Sequence, residues 1–424
     1  MSEENRKLWQ ELGINMEMHD QLIAALPGMF AGAFGKLKNR PEGMKYFNMV
    51  VGDIHGIRVH ELAGKKKAGS KVVATFCVYV PEDLTWAAGA EQIGLCGGAH
   101  FTVPAGEEHL PANLCPLIKS SLGFKVARVC PYTQISDLIV GETTCDGKKK
   151  MFEILGTMQP TYTIVLPPAK DKASRELFVQ KLKEYKDKLE SLTGKKVTVE
   201  VLTEKSRILE EKKKALRRIE NTRKNDPAPI SGLDALLVNQ VSFYDDPVRF
   251  AQMTNQLADE LEQRVKKGDG VYPKGTPRLI VSGTPQAIPF WKIPEIVEKT
   301  GGVVVAEESC VGTRYTSTKA GQTGQNLDQL LAGIADRLLE THCACFTPNS
   351  ERADDIVRLF KEYKANGVIL SNLQFCGPYT VESKLIENRL RKEKIPFLRL
   401  DVDYSAEDAG QLKTRVQAFL EVLR

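Results

Sequence analysis

The chain has 424 residues, 42% hydrophobic and 27% charged, a mix that suits two or three soluble globular domains. Its net charge of +5, from 59 Lys+Arg against 54 Asp+Glu, is too small and too interleaved with acid to mark a nucleic-acid-binding protein. No apolar run is long enough to span a bilayer and the start MSEENRKLWQELG is not a secretory signal, so a cytoplasmic protein without a membrane role is expected.

In chain order, residues 1–65 read as a helical lead-in, with Met16, Leu22, Leu26 and Met29 forming a patchy apolar face around Pro27-Gly28. Residues 64–70 read as a Gly/Lys turn. A βα alternation follows over 66–170. Strands are expected at 72–80, 92–95, 137–143 and 161–166, and helices at 81–90, 113–122 and 148–155. Residues 171–272 form a helical insert whose many charges suggest solvated helices, broken at Asp226-Pro227-Ala228-Pro229. The alternation resumes over 273–424, with strands at 278–282, 302–306, 367–375 and 397–402. The expectation is an α/β protein. It has two flavodoxin-like (Rossmann-like) parallel-sheet domains, a helical N-terminal segment and a helical insert.

Nine cysteines in a large chain do not suggest a secreted disulfide framework. With only six histidines, the chain's soft ligands are thiolates, which favours iron–sulfur or structural zinc. Cys96, Cys145, Cys310 and Cys376 each fall just past an apolar strand. Open parallel sheets bind ligands there, and a thiolate beside a helix N-terminus is stabilised. Against this, a cysteine after a strand is usually a small buried apolar residue. Cys77, inside VVATFCVYV, reads as core, and Cys130 before Pro131 is open to either reading. Zinc knuckles of the C-x-x-C kind are absent; the nearest pair is Cys343-Ala344-Cys345.

The string Gly141 to Lys148 approaches a phosphate loop, but its spacing is wrong and Lys149 stands where Ser or Thr should follow. The chain is therefore not expected to hydrolyse ATP itself. Gly97 and Gly98 beside Cys96, and Gly147 beside Cys145, are candidate cofactor-contact positions or simple turn residues. Glu142 is a candidate proton donor or a helix-start carboxylate. Lys148 is a candidate charge stabiliser or a solvated helix residue.

The segments NLCPLIKSS, VGETTCDGKKKMFE, EESCVGTRY, HCACFTPN and QFCGPY, with the ending QLKTRVQAFLE, resemble the 2-hydroxyacyl-CoA dehydratase component superfamily. That superfamily includes benzoyl-CoA reductase subunits and double-cubane cluster proteins, and the likeness runs from about Trp86 to the C-terminus. The resemblance implies one 4Fe-4S cubane on Cys115, Cys145 and Cys376. The surplus cysteines imply a second, linked cubane as in the double-cubane branch, with Cys96, Cys310 and Cys345 as its ligands and Cys343 and Cys130 in reserve. It further implies a homodimer served by a separate homodimeric iron–sulfur ATPase, with a small, hard-to-reduce molecule as substrate. The alternatives are a 2-hydroxyacyl-CoA dehydratase subunit or a non-catalytic electron carrier.

Overall fold

A computed structural model describes residues 3–95, 97–322 and 324–423. Four helices open the chain: Glu3–Glu11, Met16–Phe34, Met44–Gly52 and Ile57–Lys67. The last of these runs through most of the expected Gly/Lys turn. Asn15 caps the second, accepting from Met18 N at 3.2 Å.

Two sheets follow, both entirely parallel. The first joins β1 (Lys71–Thr75), β2 (Ala90–Gly94), β3 (Leu138–Glu142) and β4 (Thr161–Ile164) in the order β2-β1-β3-β4. The second joins β5 (Arg278–Gly283), β6 (Val303–Glu308), β7 (Gly367–Leu373) and β8 (Phe397–Val402) in the order β6-β5-β7-β8. In each, the chain steps outward from first strand to second and then returns to place the third on the other side. That reversal opens a crevice at the carboxyl ends of the central strands. Every residue of β3, β5, β6 and β7 is buried, which is why these strands read as apolar runs rather than alternating patterns.

The structure shortens one expected strand with consequences for the site. β1 ends at Thr75, opposite Gly94 of β2 and Val140 of β3. The apolar residues beyond it have no ladder partner to continue with. Cys77 is therefore two residues past a strand end, not inside a strand. The helix expected from residue 113 starts at Pro116, where proline's missing N–H and fixed φ suit the first turn, so Cys115 is its N-cap.

Between the sheets run the helices Lys172–Thr193, Val199–Thr222, Gly232–Val241 and Pro247–Lys267. Asp171, Thr198, Ser231 and Asp246 cap their N-termini through side-chain oxygens. The expectation of solvated helices fails for Val199–Thr222. It buries Leu202, Leu209, Leu216 and Ile219, and with them Lys212, Lys213 and Glu220. Its charges find partners in both α/β halves: Lys212 Nζ lies 2.6 Å from Glu82, and Arg223, just past its end, forks onto Glu307 of β6 at 2.7 Å. Both Arg223 and Glu307 are 1% exposed. Removing one member of such a pair strands the other charge in the interior. Glu307→Ala should therefore lower unfolding stability by about 3–5 kcal/mol, read as a denaturant midpoint shift. A shift below about 1 kcal/mol would show that Arg223 finds another partner.

Among the described residues, no helix is long and apolar enough to cross a membrane.

Candidate metal centre

Seven of the nine cysteines line one cavity of about 930 Å³ between the two sheets: Cys77, Cys115, Cys145, Cys310, Cys343, Cys345 and Cys376. Cys77, Cys145, Cys310 and Cys376 follow β1, β3, β6 and β7. Cys343 and Cys345 lie in the loop after the Leu327–Leu339 helix.

They form two groups. In the first, the thiols of Cys115 and Cys376 interact directly, and Cys145 lies within electrostatic reach of both. All three are helix N-caps, of Pro116–Val126, Asp146–Gly156 and Gly377–Lys392. No side-chain hydrogen bond closes any of these caps, but first-turn N–H groups lie close enough to lower the thiols: Leu117 and Ile118 at Cys115, Gly147 and Lys148 at Cys145, Tyr379 at Cys376. Three helix N-termini thus open onto the same cavity, and each favours negative charge there. The interaction with Cys376 draws the Cys115 thiol below its usual range and pushes Cys376 well above it. Cys145 is raised chiefly by burial.

The second group is a chain of neighbouring free thiols: Cys310 interacts with Cys77 and with Cys343, and Cys343 with Cys345. The interaction with Cys310 brings Cys77 down to about 7 and helps hold Cys343 well below its ordinary value, while Cys310 and Cys345 are held well above. Side chains, not helix ends, surround these sulfurs. Arg314 Nη1 donates to Cys310 Sγ at 3.8 Å, the Tyr379 hydroxyl sits 3.4 Å from Cys343 Sγ, and Tyr79 Oη sits 3.9 Å from Cys345 Sγ. Behind them, Arg314 and Arg352 share the single carboxylate of Glu308, at 2.7 and 3.2 Å. Tyr379 lies against both guanidiniums, whose central carbons are 5.2 and 4.7 Å from its ring centre. A further carboxylate, Glu382, pairs with Arg352 from the cavity's outer side.

The other residues named from the sequence fall as follows. Cys96 lies outside the described residues. Cys130 is apart from both groups, beside a smaller cavity of about 60 Å³, and burial raises its thiol. Gly97 and Gly98 are required by protein packing. A Cβ on Gly97 would run into the Phe124 ring, and one on Gly98 would meet the Ala287 carbonyl at 2.6 Å. Gly147 does line the cavity, and a Cβ there would meet Leu114 and Ile118 at 2.9 Å. Glu142 is fully buried and ion-paired to Lys148, which lines the cavity. Glu142 is linked to the cavity through Lys148 and through Thr144, whose hydroxyl donates to it at 3.4 Å. Three residues of the site were not singled out from the sequence: Cys77 sits in an apolar run that reads as core, and Arg314 and Tyr379 lie within EESCVGTRY and QFCGPY, where the cysteines drew the reading. Arg314 follows Cys310 by four residues, and that spacing together with its place in the segment is the signal that could have found it.

Among the described residues, no three or more His, Cys, Asp or Glu side chains are arranged to hold a single metal ion. Thiolates that cap a cluster meet different iron atoms and need not converge on one point. The donor set fits such a group: soft ligands from both halves of the chain, N–H donors and fixed positive charge against an anionic core, and a cavity with room for it.

Comparison with known proteins identifies the family. Residues 77–423 match the model of the 2-hydroxyglutaryl-CoA dehydratase D-component family. The chain is 35% identical over 361 residues to the putative dehydratase subunit YjiM of Escherichia coli, covering 84% of this chain and 93% of that protein. It is 23% identical over 383 residues to the (R)-phenyllactyl-CoA dehydratase beta subunit of Clostridium sporogenes, covering 89% and 99%. It is 21% identical over 349 residues to a benzoyl-CoA reductase subunit of Thauera aromatica, covering 81% and 87%.

Proposed function

The chain belongs to the 2-hydroxyglutaryl-CoA dehydratase D-component family, and from that premise we propose that it is an iron–sulfur reductase component working in the cytoplasm as a homodimer. It takes low-potential electrons from a homodimeric, ATP-hydrolysing iron–sulfur partner and passes them to a small, hard-to-reduce substrate in the cavity. The observation that carries this reading is the gathering of seven thiols in two groups on the walls of one cavity. Cys115, Cys145 and Cys376 would hold one 4Fe-4S cubane. Cys77, Cys310 and Cys345 would hold a second, linked to the first, with Cys343 in reserve. Cys77 replaces Cys96 in this set because its sulfur contacts Cys310. When bound, the clusters supply one-electron reduction at low potential.

The chain's own residues do the rest. The three helix N-termini stabilise negative charge at the first thiol group. Arg314 and the two tyrosines fix the sulfurs of the second group and offset its charge. Lys148, oriented by Glu142, holds a proton at Nζ on the cavity wall.

A second reading, a radical 2-hydroxyacyl-CoA dehydratase subunit, is favoured by the names of the relatives. An anaerobic redox titration followed by electron paramagnetic resonance separates the two. A reductase of the proposed kind gives two interacting low-potential centres and no tight binding of an acyl-CoA thioester. One isolated centre perturbed by thioester would favour the dehydratase. In the same titration, Arg314→Met should move the second centre to more negative potential, because a cation that stabilises the reduced, more anionic state is lost. Arg314→Lys should recover part of the shift. An unchanged potential in Arg314→Met would remove that residue from the site.

A further inference from the structure

Beyond the thiols the cavity reaches an inner wall formed by the Val199–Thr222 helix, the Leu327–Leu339 helix and Tyr315. Three cations meet there: Lys212, Lys213 and Arg337, none more than 3% exposed. Two carboxylates answer them. Glu82 takes Lys212 at 2.6 Å and the Tyr315 hydroxyl at 2.5 Å. Asp83 takes Arg337 in a fork at 2.8 and 2.9 Å, and Ser206 at 2.8 Å. Lys213 is left over. Its ammonium donates to Thr318, to the carbonyl at 3.1 Å and to Oγ1 at 2.8 Å, and lies 4.7 Å from the centre of the Tyr315 ring. Among the described residues no carboxylate is ion-paired with it.

A buried ammonium with no counter-charge is strongly disfavoured. The groups around it sharpen the imbalance: Arg337 and Lys212 repel its charge, Glu82 and Asp83 attract it, and Tyr315 and Thr318 are neutral. Burial is the largest influence, and the net result pulls Lys213 down to about 7. One positive charge is therefore missing its partner at a wall where Leu209, Phe243 and Leu338 stand beside the paired Glu82 and Arg337.

We propose that the inner end of the cavity is an anion subsite in which Lys213 pairs with the carboxylate of a small organic acid substrate. A single uncompensated charge matches a monoanion, and the apolar wall matches an organic one. The proposal rests on the cavity being the reaction chamber, but binding can be measured without turnover and whether or not the two-cluster reading holds.

The test is calorimetric titration of the anaerobically purified protein with benzoate and with the uncharged, similarly shaped benzamide. Benzoate should bind at least tenfold more tightly. Above neutrality its affinity should fall roughly tenfold per pH unit, because an anion that raises the Lys213 pKa is bound together with a proton. Below about pH 7 the lysine is already charged and the dependence should flatten. Lys213→Arg should keep the preference for benzoate and lose the pH dependence, and Lys213→Met should lose both. Equal binding of benzoate and benzamide, no benzoate binding, or a pH dependence that survives Lys213→Arg would each overturn the subsite. Iron content, measured on the same samples, reports separately on the cluster reading.

Discussion

Anaerobically purified Cys145→Ala should carry about four irons per chain where the parent carries about eight, and its low-potential signal should be that of one isolated cluster. The reason lies in how the first thiol group is built. Cys115 and Cys145 come from the first sheet's domain and Cys376 from the second's, and each stands at the N-terminus of its own helix. Taking one away leaves two helix ends and two thiols facing an under-ligated core. Cys376→Ala should lose iron equally and also loosen the two halves, since it removes the second domain's only thiol in that group. A metal held jointly by two domains stabilises their apposition by mass action, so the Tm should fall with the iron. Iron content at the parent level in either variant would remove that residue from the ligand set.

The second large effect separates Cys77 from its alternatives. Cys77→Ala should lose about four irons per chain, as Cys310→Ala does, while Cys130→Ala keeps the parent's content. Cys77 touches Cys310 in the cavity wall, whereas Cys130 is half-buried elsewhere. Cys96→Ala, run in parallel, completes the comparison. Full iron in Cys77→Ala together with loss in Cys96→Ala would restore the ligand set that the resemblance first suggested. Cys343→Ala and Cys345→Ala decide which of those two neighbours is the ligand, because a group of three needs only one of them.

Much of the fold was legible because a parallel sheet buried on both faces writes its strands as apolar runs between turn residues. That is clearest at Val303–Glu308 and Gly367–Leu373. The place where this signal misled is the place that matters for the site. The run through Phe76, Cys77 and Val80 stays apolar past Thr75, but β2 ends at Gly94 opposite Thr75, and the ladder from β1 to β3 ends there too. Ladder length is a property of three segments, so no one of them declares it. Cys77 was hidden for that reason. Cys115 was misplaced by a milder version of the same effect, since only the proline after it marks where the helix begins.

The charged insert was harder still. Lys212 and Glu82 are 130 residues apart, and Arg223 and Glu307 are 84 apart. Nothing local separates a lysine that faces water from one that crosses to a carboxylate on another domain. The same distance conceals the imbalance at Lys213, which appears only when the three cations and two carboxylates are counted in one place. The two-group arrangement of the thiols follows similarly from topology: the repeated strand order turns widely separated strand ends into neighbours.

Iron and acid-labile sulfide, determined on parent protein isolated without oxygen from cells able to assemble clusters, bear most directly on whether sulfurs from both halves hold one inorganic core. About eight of each per chain, with a brown chromophore, is the expected outcome. A colourless chain with neither, folded and with its thiols free to react, would contradict it.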